Sequence, residues 1–169
     1  MPALALGFVR AVETVNRLVG RLALYLLFVL AGVLAWSVIA KAFFRPALWT
    51  QEMAQFTMIA YVVLGGAYSL MGGAHVRMDL LYSRWSVRTR AAVDCVTVLA
   101  LIVFLAVILW GGIESTIYAL EIGERSRTVW RPYMAPIKIV MVIGIFLTLL
   151  QATSIFIKDL AVALGRPLT

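Results

Sequence analysis

The chain has 169 residues, of which 63% are hydrophobic and only 14% charged, and its mean hydropathy is +0.99. A soluble domain carries about 45–50% apolar and roughly 25% charged residues, and one of this size could not bury so much apolar surface without aggregating. The solvent for most of this chain is lipid. The net charge of +7 (15 Lys and Arg against 8 Asp and Glu) falls at the edges of apolar stretches. There it meets anionic headgroups and sets orientation, so nucleic acid is not an expected partner. Cys95 is the single cysteine and His75 the single histidine. An intrachain disulfide, a thiolate metal cage and bis-histidine haem ligation are therefore excluded.

In chain order, the first expected element is an amphipathic helix in residues 1–21. Phe8, Val12, Val15, Val19 and Leu22 fall on one face, and Arg10, Thr14, Arg17 and Arg21 on the other. This pattern predicts an interfacial helix lying on the cytoplasmic leaflet. The alternative is a long first helix that simply protrudes.

Four stretches without Asp, Glu, Lys, Arg or His follow, at 22–40, 53–74, 95–113 and 139–157. A spanning helix needs about 20 residues to cross roughly 30 Å of hydrocarbon. Backbone groups in lipid need internal partners, so these are helices rather than open strands. The expected fold is all-α: an integral membrane protein with an antiparallel bundle of four transmembrane helices in 22–158 and a short cytoplasmic tail, 159–169. The first span reads as a retained anchor, because its apolar core exceeds the roughly 7–15 residues of a signal peptide. Lys and Arg number nine on the side of the termini and six on the other. The positive-inside rule thus predicts both termini in the cytoplasm. Trp36, Phe43, Phe44, Trp49, Trp110, Trp130 and Tyr133 would form the aromatic belt at the outer boundary. Met78–Trp85 is expected at the inner surface, Ser86 as N-cap of the third helix, and Pro136 at the start of the fourth.

No span carries a carboxylate in its interior, which an ion-coupled carrier acting alone would need. His75 and Asp79, four apart, read as a boundary pair fixing the turn out of the membrane, or as a proton relay. Glu52, in the first turn after Trp49, is expected to cap and anchor the second span, or to contact a partner protein. Gly65, Ser69 and Gly73 recur every fourth residue and predict close helix packing, within the chain or on a second membrane protein. Thr148, Gln151 and Ser154 make a weak polar stripe. Gln151 should face another helix as glue, and with the second-span residues it is a candidate for packing on a partner subunit.

The ordered set Trp49-Thr50-Gln51-Glu52, Gly65-Gly66-Ala67 and His75-Val76-Arg77-Met78-Asp79-Leu80-Leu81 resembles the small membrane subunit of TRAP transporters, the tripartite ATP-independent periplasmic carriers. Glu124-Arg125-Ser126, Trp130, Pro136 and Leu150-Gln151 extend the resemblance to the fourth span. Met78 departs from it, since a β-branched residue is more usual there. The resemblance implies a subunit in a bacterial inner membrane that is not an enzyme and holds no cofactor, sodium being expected on the large subunit. It implies two protein partners, a large membrane subunit whose scaffold this chain enlarges and a periplasmic binding protein that delivers an organic acid. The external loop Glu114–Lys138, with Arg125, Arg127 and Arg131 beside Trp130 and Tyr133, is expected to help dock that binding protein. Anchoring to outer headgroups is its alternative role. The rival for the whole chain is a self-contained, homo-oligomeric channel or carrier.

Overall fold

The computed structural model describes residues 2–45, 47–72 and 87–163. They form four helices: α1 Pro2–Phe43, α2 Trp49–Met71, α3 Val87–Glu121 and α4 Ala135–Ala163. All four are long and apolar enough to cross a membrane. Among the described residues there is no strand, and the one isolated bridge joins Arg125 to Tyr133. The expected spans 22–40, 95–113 and 139–157 each fall within one longer helix, whereas α2 ends at Met71, with Gly72 as its C-cap, inside the expected 53–74. α3 continues two turns beyond each end of 95–113, so the loop read as Glu114–Lys138 shrinks to 122–134. α2 begins at Trp49 rather than Met53, which makes Trp49-Thr50-Gln51-Glu52 its first turn.

The amphipathic stretch at the N-terminus and the first span are one helix of 42 residues. A separate interfacial element does not form; the long first helix does. Nothing in residues 8–22 breaks a helix except Gly20, and Glu13 and Asn16 within the stretch bond Lys158 and Gln151 of α4. Its buried stripe also differs from the expected one. Val9, Val12, Asn16 and Ala23 are buried, whereas Phe8, Val15 and Leu22 are exposed. In lipid an apolar face gains nothing by turning inward, so small and polar residues choose the contact.

α1, α2 and α4 pack on one another, and α3 lies against α4. Neighbouring residues fix the register. Ser37 meets Thr50, Ala23 meets Gly65 and Gly20 meets Tyr68, so α1 and α2 are antiparallel. Val63 meets Gly144 and Gly66 meets Thr148, so α2 and α4 run the same way. Gly112 faces Val142, and Lys138 Nζ donates to the Ser115 carbonyl, so α3 is antiparallel to α4. The seams are built from small side chains: Ala23, Ala54, Ala67, Ala119 and Ala152 are all buried. Two glycines are required by contact. A Cβ on Gly144 would come within 2.9 Å of the Val63 carbonyl oxygen, and one on Gly20 within 2.5 Å of the Tyr68 ring. A methyl at either position would push a helix outward.

Candidate functional site

The interior of the bundle near the chain termini carries a polar seam between α1 and α4. Asn16 Nδ2 donates to Gln151 Oε1 at 2.7 Å, and the two residues are 0% and 1% exposed. One turn further out, Glu13 and Lys158 form an ion pair. Ser154, one turn from Gln151, is fully buried; its Oγ and Asn16 Oδ1 have no hydrogen-bond partner. Thr148 and Thr153 return their hydroxyls to the carbonyls of Gly144 and Leu149, which satisfies them within α4. The seam joins two elements of this chain. It places Gln151 inside the chain, bonded to Asn16, as glue between helices.

Gly65 and Gly66 point in different directions: the first toward Ala23 of α1, the second toward Thr148 of α4. Ser69 is exposed. Each glycine thus faces another helix of this chain, and Gly65 also borders a groove of about 400 Å³ between α1 and α2. Gly73, His75 and Asp79 lie outside the described residues, as do Met78–Trp85 and Ser86.

At the opposite end of the bundle, Thr50 is buried and its hydroxyl bonds the Ala47 carbonyl at 2.7 Å and Ser37 Oγ at 3.1 Å, closing the turn between α1 and α2. Glu52 sits in the first turn of α2, 6% exposed, and its Oε2 has no hydrogen-bond partner. The N-cap residue Leu48 makes no side-chain capping bond. Trp49 is exposed beside them, as are Trp36, Phe43, Phe44, Trp110, Trp130 and Tyr133. Trp110 Nε1 donates to Glu114 Oε1 at 2.8 Å.

The 122–134 loop at this end is a mounted hairpin. Ser126 N–H donates to the Pro132 carbonyl at 2.9 Å and Met134 N–H to the Glu124 carbonyl at 3.0 Å. Glu124 pairs with Lys138, which also holds α3 through Ser115. The Arg125 guanidinium lies over the Tyr133 ring, 4.1 Å from its centroid, and donates to the hydroxyl. A cation over an aromatic face adds about 0.5–1 kcal/mol at an exposed site. Arg125 is therefore occupied in holding the loop. Arg127 and Arg131 are exposed, and Val129 between them is 78% exposed. Arg131 has φ of 50°, a left-handed backbone that costs a side-chain-bearing residue ~1–2 kcal/mol, and the following Pro132 narrows its options further. The sequence marks all three arginines, but it does not show that Arg125 is engaged by Tyr133 while Arg127 and Arg131 make no hydrogen bond or ion pair among the described residues.

Among the described residues, no three His, Cys, Asp or Glu side chains are grouped to hold a metal ion. The polar groups make helix contacts, a turn and a surface hairpin. The four long apolar helices define a multi-pass membrane protein. The sequence matches the family described as tripartite ATP-independent periplasmic transporters, DctQ component, over residues 30–162. The chain belongs to that family and is a small subunit of a TRAP transporter. No curated protein and no solved structure matches it.

Proposed function

We propose that this chain is the small permease subunit of a sodium-driven, binding-protein-dependent carrier for organic acids. In that role it enlarges the fixed scaffold of a large transport subunit and offers part of the docking surface to the periplasmic binding protein. The family match over 30–162 carries the reading. The lack of any carboxylate within the apolar stretches supports it, since ion coupling then falls to the partner. So does the packing: much of α3 and the outer face of α1 are exposed, leaving surface for lipid and for a second membrane protein.

The membrane in question is the bacterial inner membrane, with both termini in the cytoplasm. The 122–134 hairpin then faces the periplasm. Arg127 and Arg131, with Val129 and Trp130 between them, make the contact with an acidic partner surface, and Arg125 positions the hairpin through Tyr133. Arginine and tryptophan together are enriched at binding hot spots. Trp49 and Glu52 anchor the outer start of α2. Co-expression with candidate large subunits, followed by purification in mild detergent and mass measurement, tests the assignment. A one-to-one complex with a large membrane protein is expected. A homo-oligomer of this chain alone would favour a self-contained channel and overturn the reading.

A further inference from the structure

The register of α1 sets two arginines deeper than the end of the bundle. Lys158 closes the apolar stretch of α4, and its partner across the seam is Glu13. Arg17 and Arg21 lie one and two turns further along α1, about 6 and 12 Å toward the middle of the bundle. The contacts around them agree: Asn16 bonds Gln151, and Gly20 packs against Tyr68, both inside apolar stretches. Arg17 and Arg21 are exposed, and among the described residues neither makes a hydrogen bond or ion pair. An exposed cation at that depth needs a counter-charge, which the described residues do not supply.

Arg17, Arg21 and Leu24 follow one another at i, i+4 and i+7, on one helix face. Leu24 lines the groove of about 400 Å³ between α1 and α2, whose floor is Gly20, Ala23 and Gly65. Tyr68 and Ser69 stand at the end of the groove nearest the arginines. A basic pair thus sits at one end of an apolar channel that opens to the bilayer.

We propose that Arg17 and Arg21 hold the phosphate of an anionic phospholipid whose acyl chain lies in this groove. Guanidinium forks match phosphate oxygens two at a time, and their stems let them rise toward the headgroup level. The acyl chain covers the glycine-lined floor, and Ser69 lies where the ester oxygens would pass. A carboxylate from a second protein would satisfy the arginines but leave the groove empty. The inference does not depend on the transport role.

The test uses the full chain purified in detergent and offered phosphatidylglycerol, phosphatidylcholine or inorganic phosphate, with retained lipid read by native mass spectrometry. The native chain should retain one phosphatidylglycerol about fivefold more than phosphatidylcholine, equivalent to ~1 kcal/mol. Inorganic phosphate should not displace it, because it cannot fill the groove. Arg17→Gln with Arg21→Gln should abolish the preference for phosphatidylglycerol. Ser69→Leu should lower retention of both lipids, with the helical content of the native chain. Equal retention of the two lipids by the native chain overturns the proposal, as does an unchanged preference in the double variant. Loss of a co-purifying protein from the double variant, with lipid retention unchanged, assigns the arginines to a protein contact and overturns it too.

Discussion

Replacing Asn16 or Gln151 with leucine tests whether the polar seam holds α1 onto α4. Asn16 Nδ2 donates to Gln151 Oε1 at 2.7 Å with both residues sealed from the surface. Gln151→Leu strips Asn16 of its one partner among the described residues while its Oδ1 is already unpaired, so both ends of that amide are stranded. A stranded buried polar group costs about 1–3 kcal/mol. Asn16→Leu removes an unpaired acceptor along with the donor, so it should cost less, ~1 kcal/mol against ~2 kcal/mol for Gln151→Leu. The double substitution removes both amides, so neither side chain of the pair is left stranded, and it should lie near the native chain. The expected coupling is therefore about 3 kcal/mol, the two single costs combined, at the upper end of the range for side chains in contact. Unfolding by sodium dodecyl sulfate titration, followed by tryptophan fluorescence and circular dichroism, measures all four corners of the cycle. Additivity to within ~0.3 kcal/mol would mean the two side chains do not interact, and the seam would not hold the helices.

Gly144→Ala should destabilise the chain by about 1–3 kcal/mol in the same assay, because its methyl meets the Val63 backbone; Gly65→Ala, whose Cβ would lie 3.9 Å from Ala23, should fall within ~0.5 kcal/mol of native. Arg131→Gly should relax the strained hairpin backbone yet raise the binding-protein concentration needed for half-maximal uptake, most clearly at low salt. An unshifted titration with Arg131→Gly and a shifted one with Arg127→Glu would leave docking in place and remove Arg131 from it. Tyr133→Phe should loosen the hairpin, seen as faster proteolysis between residues 122 and 134, without altering the yield of the complex.

The spans were legible because charge-free stretches of about 20 residues in a chain this apolar admit one solution. Gln151 was legible too, since an amide facing lipid has no partner, and it is found buried against another helix. Its partner was not. Asn16 lies in a stretch read by its apolar face, and apolar periodicity marks the interior only where water is the solvent. Here Phe8, Val15 and Leu22 face outward while Asn16 and Gly20 face in. The seam between α2 and α4 left a fainter trace, a single glycine at 144 within an otherwise bulky span. The engagement of Arg125 by Tyr133 depends on the hairpin bringing residues eight apart into contact, which spacing alone does not indicate.

Uptake into proteoliposomes under an inward sodium gradient decides whether this chain works only as a subunit. Vesicles would hold this chain alone, the large subunit alone, or both, each with and without the binding protein. Organic-acid uptake is expected only when both membrane subunits and the binding protein are present. Gradient-driven uptake by vesicles containing this chain alone would contradict that expectation.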